Sequence, residues 1–162
     1  MNNNGFQRRL SYGQKFESRL VEIFTEAGFE SGLLEFETAV ENATNGDLYV
    51  VTKTGRKLQL EAKYTCKVAL KSIDRFQGSF YILTPHSFTE SPTKITADKI
   101  YVIPKRAMVN YKNALAEDNK VFEMQSGDLG IELNLGQYIT GFEFQKKVTL
   151  EKFIEDDLMV LL

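Results

Sequence analysis

The segment Gly46–Lys63 constrains the fold of this 162-residue chain more than any other segment. A strand-forming run follows Asp47, a turn at Thr54–Lys57 contains Gly55, and Leu58–Tyr64 alternates apolar with polar residues. This pattern predicts a β-hairpin. Because successive side chains of a strand point to opposite faces, the second strand has two distinct faces. One face is expected to carry Leu58, Leu60 and Ala62, and the other Gln59, Glu61 and Lys63.

Length and composition favour a single globular domain. The apolar content of 43% and the charged content of 26% are ordinary for such a domain. We therefore interpret residues 1–162 as one domain, with 1–10 as a flexible arm. No apolar run is long enough to span a membrane, and the start of the chain lacks the apolar core of a signal peptide. The single cysteine, Cys66, cannot form an internal disulfide, which favours a reducing, cytoplasmic location.

Periodicity and turn residues place the remaining elements. Ser11–Gly28 has apolar residues at helical spacing, with Ser11 as its N-cap and Gly28 as its stop. The other predicted elements are a strand at Leu33–Val40, a turn at Asn42–Gly46, a helix at Val68–Phe80, a loop at Thr84–Ala97, a strand at Lys99–Ile103, a helix at Lys105–Glu117, strands within Val121–Phe144 and a helix at Thr149–Leu162. Helices and strands mixed in this way predict the α/β fold class.

The charge is distributed unevenly along the chain. The net charge is −2, which does not by itself indicate a nucleic-acid-binding protein. Between Lys53 and Arg75, however, there are seven basic residues and only two acidic ones. From Glu117 onward there are ten acidic residues and four lysines. The basic residues that we interpret as candidate phosphate contacts are Lys53, Arg56, Lys57, Lys67, Lys71 and Arg75. A solvated face is the alternative interpretation of this basic segment.

Glu17 lies beside the apolar arc of the first predicted helix. Its neighbours at helical spacing are Leu20, Val21 and Phe24, whereas other glutamates of the helix fall on the opposite side. A buried carboxylate is costly unless it is paired, hydrogen-bonded or bound to a metal. Glu17 is therefore a candidate site residue, and a half-exposed glutamate at the border of the arc is the alternative.

Asp47, Glu61 and Lys63 form the strongest candidate site. Two carboxylates about 5 Å apart repel by about 3 kcal/mol at an effective dielectric constant near 20. A lysine offsets part of this repulsion, and a divalent cation offsets more of it. Mg²⁺ prefers oxygen ligands, binds one or two carboxylates and keeps several waters, and the backbone carbonyl of Ala62 is a further candidate ligand. The alternative is an exposed strand face with a Glu61–Lys63 ion pair, which contributes only about 0–1 kcal/mol.

These residues resemble the PD-(D/E)xK nuclease superfamily over residues 13–64. Gly13–Glu17 resembles the G-x-x-x-E opening of its first helix, Gly46-Asp47 stands where that superfamily has Pro-Asp, and Leu60–Lys63 matches its strand with the acid and the lysine. The order and spacing are most similar to archaeal Holliday junction resolvases and small restriction endonucleases. Gln77 and Tyr81 also match a Q-x-x-x-Y spacing found in helicase-associated exonucleases of the superfamily, although we interpret them as part of an ordinary core helix.

The resemblance implies a restriction-endonuclease-like core, in which a mixed sheet is flanked by helices. It implies that Asp47 and Glu61 ligate a catalytic Mg²⁺, for which Mn²⁺ can substitute, that Lys63 serves the attacking water, and that Glu17 completes or supports the metal site. We therefore expect a Mg²⁺-dependent DNA endonuclease, resolvase-like or restriction-type, that acts on DNA, often as a homodimer. One alternative is a catalytically inactive nuclease-fold module that binds DNA, or a protein partner through the acidic C-terminal third. The other is an unrelated α/β domain with a solvated hairpin.

Overall fold

The computed structural model describes residues 4–65, 67–84, 91–133 and 148–160. In these ranges the strands are β1 (Ser31–Leu33), β2 (Leu48–Val51), β3 (Lys57–Lys63), β4 (Lys67–Ala69), β5 (Phe80–Leu83), β6 (Tyr101–Pro104), β7 (Phe122–Glu123), β8 (Leu129–Glu132) and β9 (Val148–Thr149). The α-helices are α1 (Asn4–Glu26), α2 (Ala39–Asn45), α3 (Leu70–Arg75), α4 (Lys105–Glu117), α5 (Leu150–Lys152) and α6 (Leu158–Val160). A 3₁₀ turn lies at Ala97–Lys99 and a π turn at Phe153–Asp157.

A mixed six-stranded sheet, in the order β1-β2-β3-β5-β6-β9, is the centre of the fold. The strands β3 and β5 are parallel, and the other neighbours in this sheet are antiparallel. A smaller sheet of three strands has the order β4-β8-β7. The α/β class is therefore confirmed, with helices on the mixed sheet. In the described part of the chain, none of the helices has the length and apolar character needed to cross a membrane.

The predicted hairpin is confirmed as β2 and β3, with Leu48 opposite Leu60. Its turn begins slightly earlier than predicted, because the amide of Thr52 donates to the carbonyl of Arg56 at 2.8 Å. The amide of Arg56 in turn donates to Thr52 Oγ1 at 3.1 Å. This turn fixes the register that places Asp47 beside Glu61.

Apolar side chains fill both faces of the large sheet. On one face, Phe16, Leu20 and Phe24 of α1 pack with residues of β2 and β3 such as Leu48 and Leu60. On the other face, Ile73 and Phe76 pack with Tyr81 and with α4. The arc predicted for the first helix is therefore confirmed as a core surface.

The predictions for the neighbouring segments Leu33–Val40 and Asn42–Gly46 are wrong. The segment predicted as the strand Leu33–Val40 contains only the end of β1, and the turn predicted at Asn42–Gly46 is mostly the end of α2. The physical reason is a helix cap, because Thr38 Oγ1 accepts a hydrogen bond from the amide of Glu41 at 3.1 Å. Residues 4–10, which were predicted to be part of an arm, extend α1, so the prediction of Ser11 as the N-cap is also wrong. Residues 1–3 of the predicted arm lie outside the described residues.

The predicted helix Val68–Phe80 is also wrong at both ends. Only Leu70–Arg75 is helical, and its flanks join β4 and β5. The chain leaves the helix because the amide of Ser79 donates to the carbonyl of Gln59 at 3.0 Å, beside β3. A Cβ at Gly78 would lie 2.6 Å from that same carbonyl oxygen, so glycine permits this close approach.

The remaining predictions agree with the structure where it describes them. The helix α4 has the predicted bounds, and β6 overlaps the predicted strand but includes Pro104. Thr149 caps the C-terminal helical segment, since its Oγ1 accepts from the amide of Lys152 at 3.2 Å. The strands β7 and β8 fall in Val121–Phe144. Cys66, residues 85–90 of the predicted loop, residues 134–144 of the predicted strands and the last two residues of the predicted C-terminal helix lie outside the described residues.

Candidate active site

Asp47 is held at the edge of the hairpin by both its backbone and its carboxylate. Its amide donates to the carbonyl of Leu60 at 2.8 Å, which continues the ladder one residue beyond β2. Its Oδ2 accepts from the amide of Ala62 at 2.9 Å, and its Oδ1 accepts from Asn42 Nδ2 at 3.3 Å. The carboxylate of Asp47 thus accepts the hydrogen bond that a backbone carbonyl would accept from Ala62. This bond fixes the position of the carboxylate relative to β3.

Gly46 allows the chain to enter this site. Its φ is +95°, and its amide donates to the carbonyl of Asn42 at 2.9 Å as α2 ends. A Cβ at this position would lie 2.6 Å from the carbonyl oxygen of Leu60. Proline, which stands here in the PD-(D/E)xK pattern, has a φ near −65° and no amide hydrogen. The glycine is therefore the residue that this local backbone requires.

Gly46→Ala is expected to lower the free energy of unfolding by about 3 kcal/mol, because it combines left-handed strain with a backbone clash. Gly55→Ala is a matched control, since Gly55 has a φ of +90° but nothing within 4 Å of an added Cβ. The control should lose only about 1 kcal/mol, from backbone strain alone. Urea unfolding of both variants measures the difference, and equal losses would contradict the close approach to Leu60.

Glu61 and Lys63 leave β3 on the same face, as predicted. Lys63 Nζ lies 3.4 Å from Glu61 Oε1. Glu61 is only 7% exposed, and its Oε2 is buried without a hydrogen-bond partner. A buried acid with one unpaired oxygen is inconsistent with the alternative of a solvated strand face. Glu61 instead has one oxygen that is able to accept a ligand.

The electrostatics bring Glu17 into the same site. Burial, followed by the charges of Asp47 and Glu61, raises the pKa of Glu17 from 4.5 to about 8, against the opposing effect of Lys63. Burial, followed by the charge of Asp47, raises the pKa of Glu61 to about 7. The pKa of Asp47 is also raised by burial, against the opposing effect of the hydrogen bond from Ala62. The three carboxylates therefore lie close enough to repel one another.

The donor set fits a divalent cation that is held by few protein ligands. When all groups are ionised, three carboxylates and one ammonium leave two negative charges without partners. Within the described ranges, no three side chains of His, Cys, Asp or Glu are grouped tightly enough to form a ready-made metal centre. Mg²⁺ does not need such a cage, because one or two carboxylates and several waters complete its octahedron. Asp47, the unpaired Oε2 of Glu61 and the carbonyl of Ala62 are suitable oxygen ligands for it.

The basic residues predicted as phosphate contacts do not form one patch. Lys53 Nζ donates to the carbonyl of Gly28 at 3.1 Å, and Lys71 Nζ lies 3.0 Å from Asp128 Oδ2. Lys67 lies over the ring of Phe122 in the small sheet, whereas Arg56 and Arg75 have exposed side chains. Lys57 belongs to the same face of β3 as Glu61, and its Nζ lies 4.3 Å from the centre of the Tyr49 ring. Lys57 is therefore the predicted contact most clearly aligned with the site.

Asn42 and Tyr81 also belong to this environment, although neither was predicted as a site residue. Asn42 supports Asp47 from α2, but the sequence indicated only a turn there. Tyr81 lies beside Glu61 in the parallel pairing of β3 and β5, rather than in the predicted core helix. Gln77 is exposed in the preceding loop, so the Q-x-x-x-Y spacing does not place both residues in one helix. Only the Asx-type side chain at position 42 offered a weak signal.

Comparison of this chain with protein-family models, with curated proteins and with solved structures gave no match. The functional assignment therefore depends on the geometry and chemistry of the site. The most informative parts of that geometry are the fixed carboxylate of Asp47, the buried acid Glu61 and the neighbouring ammonium of Lys63.

Proposed function

We propose that this protein is a Mg²⁺-dependent DNA endonuclease, resolvase-like or restriction-type, with the core of the PD-(D/E)xK superfamily. The observation that supports the proposal most strongly is the buried Glu61, whose Oε2 lacks a partner while Lys63 contacts its other oxygen. An uncompensated buried acid is costly, so a site that keeps it beside Asp47 and Glu17 needs a cationic ligand. A divalent cation and a lysine together suit the anionic phosphodiester group.

Each residue of the site has a separate task. Asp47 and Glu61 would hold the cation at the end of the hairpin away from its turn, with the carbonyl of Ala62 as a further oxygen ligand. When bound, the cation polarises the phosphoryl oxygen and lowers the pKa of a coordinated water. Lys63 orients the attacking water and donates hydrogen bonds to the charge that grows on the phosphoryl oxygens. Asn42 and the amide of Ala62 keep the carboxylate of Asp47 in place.

Glu17 supports this arrangement from α1. Its pKa of about 8 means that it carries a proton at neutral pH in the metal-free protein. A neutral Glu17 adds no charge repulsion to that between Asp47 and Glu61. A bound cation would favour the ionised form of Glu17, which would then balance part of that charge or hold a coordinated water.

The sheet face beside the site offers a path for a nucleic-acid strand. Tyr49 and Lys57 lie on the face that also carries Glu61 and Lys63, nearer the turn of the hairpin. An aromatic ring stacks on bases without regard to sequence, and an ammonium group neutralises phosphate. This combination favours DNA as the substrate over a small phosphodiester.

Removal of the metal tests the proposal directly. The purified chain is expected to nick supercoiled plasmid in Mg²⁺ or Mn²⁺, and to stop when a chelator is added, because Asp47 and Glu61 cannot activate water without a cation. Activity should return when Mg²⁺ is restored in excess. Branched and single-stranded DNA in the same assay identify the preferred substrate. Binding to DNA without cleavage in either metal would instead support the inactive nuclease-fold module.

A further inference from the structure

Tyr81 has a buried hydroxyl group to which the proposed function gives no role. The residue is 0% exposed, and its hydroxyl oxygen has no hydrogen-bond partner. Buried tyrosine hydroxyls usually find a partner, because an unpaired polar group in an apolar environment is unfavourable. Tyr81 belongs to a buried cluster in which the side chains of Ile73, Phe76, Ile103 and Met108 are apolar.

The strand register places this hydroxyl near the candidate metal ligand. Tyr81 of β5 is the partner of Glu61 of β3 in a parallel pair, so both side chains leave the same face of the sheet. Glu61 Oε1 contacts Lys63, which leaves Oε2 as the oxygen without a partner. Two neighbouring buried groups, one able to donate and the other able to accept, therefore each lack a partner.

Other contacts restrict where the tyrosine ring can point. The ring of Phe76 packs edge-on against it, with 4.9 Å between the centroids. Asp74 is the other acid near Tyr81, but it is exposed and paired with Lys112. Of the two acids that affect Tyr81, Glu61 is therefore the buried one.

We propose that Tyr81 is a positioning residue that donates a hydrogen bond toward Oε2 of Glu61, directly or through one bridging water. A carboxylate oxygen has two lone pairs, so Oε2 accepts this bond and still ligates a cation. Lys63 and Tyr81 then hold Glu61 from its two oxygens, which fixes the orientation of the carboxylate toward the metal. Outer partners of this kind typically change metal affinity by about 10- to 100-fold. The inference rests on the proposed function, because it assigns Glu61 to the metal.

Tyr81→Phe tests this role with a binding measurement that does not depend on cleavage. The Mg²⁺ concentration that gives half of the maximal rise in melting temperature is expected to increase about tenfold. The metal-free variant should melt somewhat below the parent, because the change removes the donor that a buried carboxylate oxygen of Glu61 would otherwise have. Tyr111→Phe, in the same apolar cluster on α4, is the matched control and should leave the Mg²⁺ midpoint unchanged.

A double substitution separates positioning from a general effect on packing. If Tyr81 acts through Glu61, Tyr81→Phe will not alter the Mg²⁺ response of a Glu61→Gln protein. An unchanged Mg²⁺ midpoint in the single variant, or no stabilisation of the parent by Mg²⁺, overturns the inference. Stabilisation of the parent without DNA cleavage would overturn the proposed nuclease activity and leave the role of Tyr81 standing.

Discussion

Glu61→Gln is expected to reduce Mg²⁺-dependent cleavage by about a thousandfold, in the range found when one preorganised electrostatic group is removed from an active site. The amide keeps the shape of the side chain but loses the negative charge that holds the cation. Lys63 Nζ, now 3.4 Å from Oε1, also loses the carboxylate that orients it toward the attacking water. The expected change is therefore a loss of activity with little change in structure.

The same substitution is expected to stabilise the metal-free protein at about pH 8, by about 1–2 kcal/mol. Burial and the charge of Asp47 raise the pKa of Glu61 from 4.5 to about 7, so above that pH the native state carries a buried charge that costs free energy relative to the unfolded chain. A buried amide is less costly than a buried charge, although one of its polar atoms still lacks a partner. A gain in stability together with a loss of activity distinguishes a functional acid from a structural one.

Plasmid nicking and urea unfolding, measured on the same preparation, test this pair of effects. Glu26→Gln is a matched control, because Glu26 is an exposed acid at the end of α1. It should change neither the rate nor the unfolding midpoint. Asp47→Ala offers a contrast, because it removes the acceptor of the Ala62 amide and should lower both activity and stability. Full activity in the Glu61→Gln protein would exclude Glu61 from the mechanism.

The parts of the site that the sequence could predict depend on local periodicity. Alternation along β3 places Glu61 and Lys63 on one face, and helical spacing places Glu17 beside the buried arc of α1. Both patterns involve residues only a few positions apart, so they can be read from the sequence without the tertiary structure. The pattern Gly46-Asp47 also predicted the start of β2 because the glycine marks a change in chain direction.

Other parts depend on contacts between distant segments. The segment after Val68 has helical spacing, but a backbone hydrogen bond from Ser79 to Gln59 takes the chain into the sheet beside β3. The pairing of Tyr81 with Glu61 follows from that tertiary contact and has no local signal. The segment before Asn42 was predicted as a strand from its mixture of acidic and apolar residues. In the structure, the cap at Thr38 instead stabilises the start of α2.

The pH dependence of stability is expected to change sign when Mg²⁺ is added. In the metal-free protein the pKa of Glu17 is raised from 4.5 to about 8 and that of Glu61 from 4.5 to about 7. The native state therefore keeps protons that the unfolded chain has released. Because unfolding then releases protons, the contribution of these two acids to the free energy of unfolding is highest below about pH 4.5 and falls until about pH 8. Glu17 is partly exposed, so solvent screening reduces its share of this fall.

Mg²⁺ reverses this trend because its carboxylate ligands must lose their protons before they bind it. The affinity of the site for Mg²⁺ therefore rises with pH, and so does the stabilisation that bound Mg²⁺ provides. This rise covers the pH range in which the two acids make the metal-free protein less stable. Urea unfolding in chelator and in saturating Mg²⁺, at about pH 6, 7 and 8.5, measures both slopes. Glu17→Gln should reduce the slope in chelator, whereas Glu26→Gln should not, since only Glu17 is among the acids that share the site. Parallel slopes in chelator and in Mg²⁺ would show that the cation does not bind where these carboxylates lie.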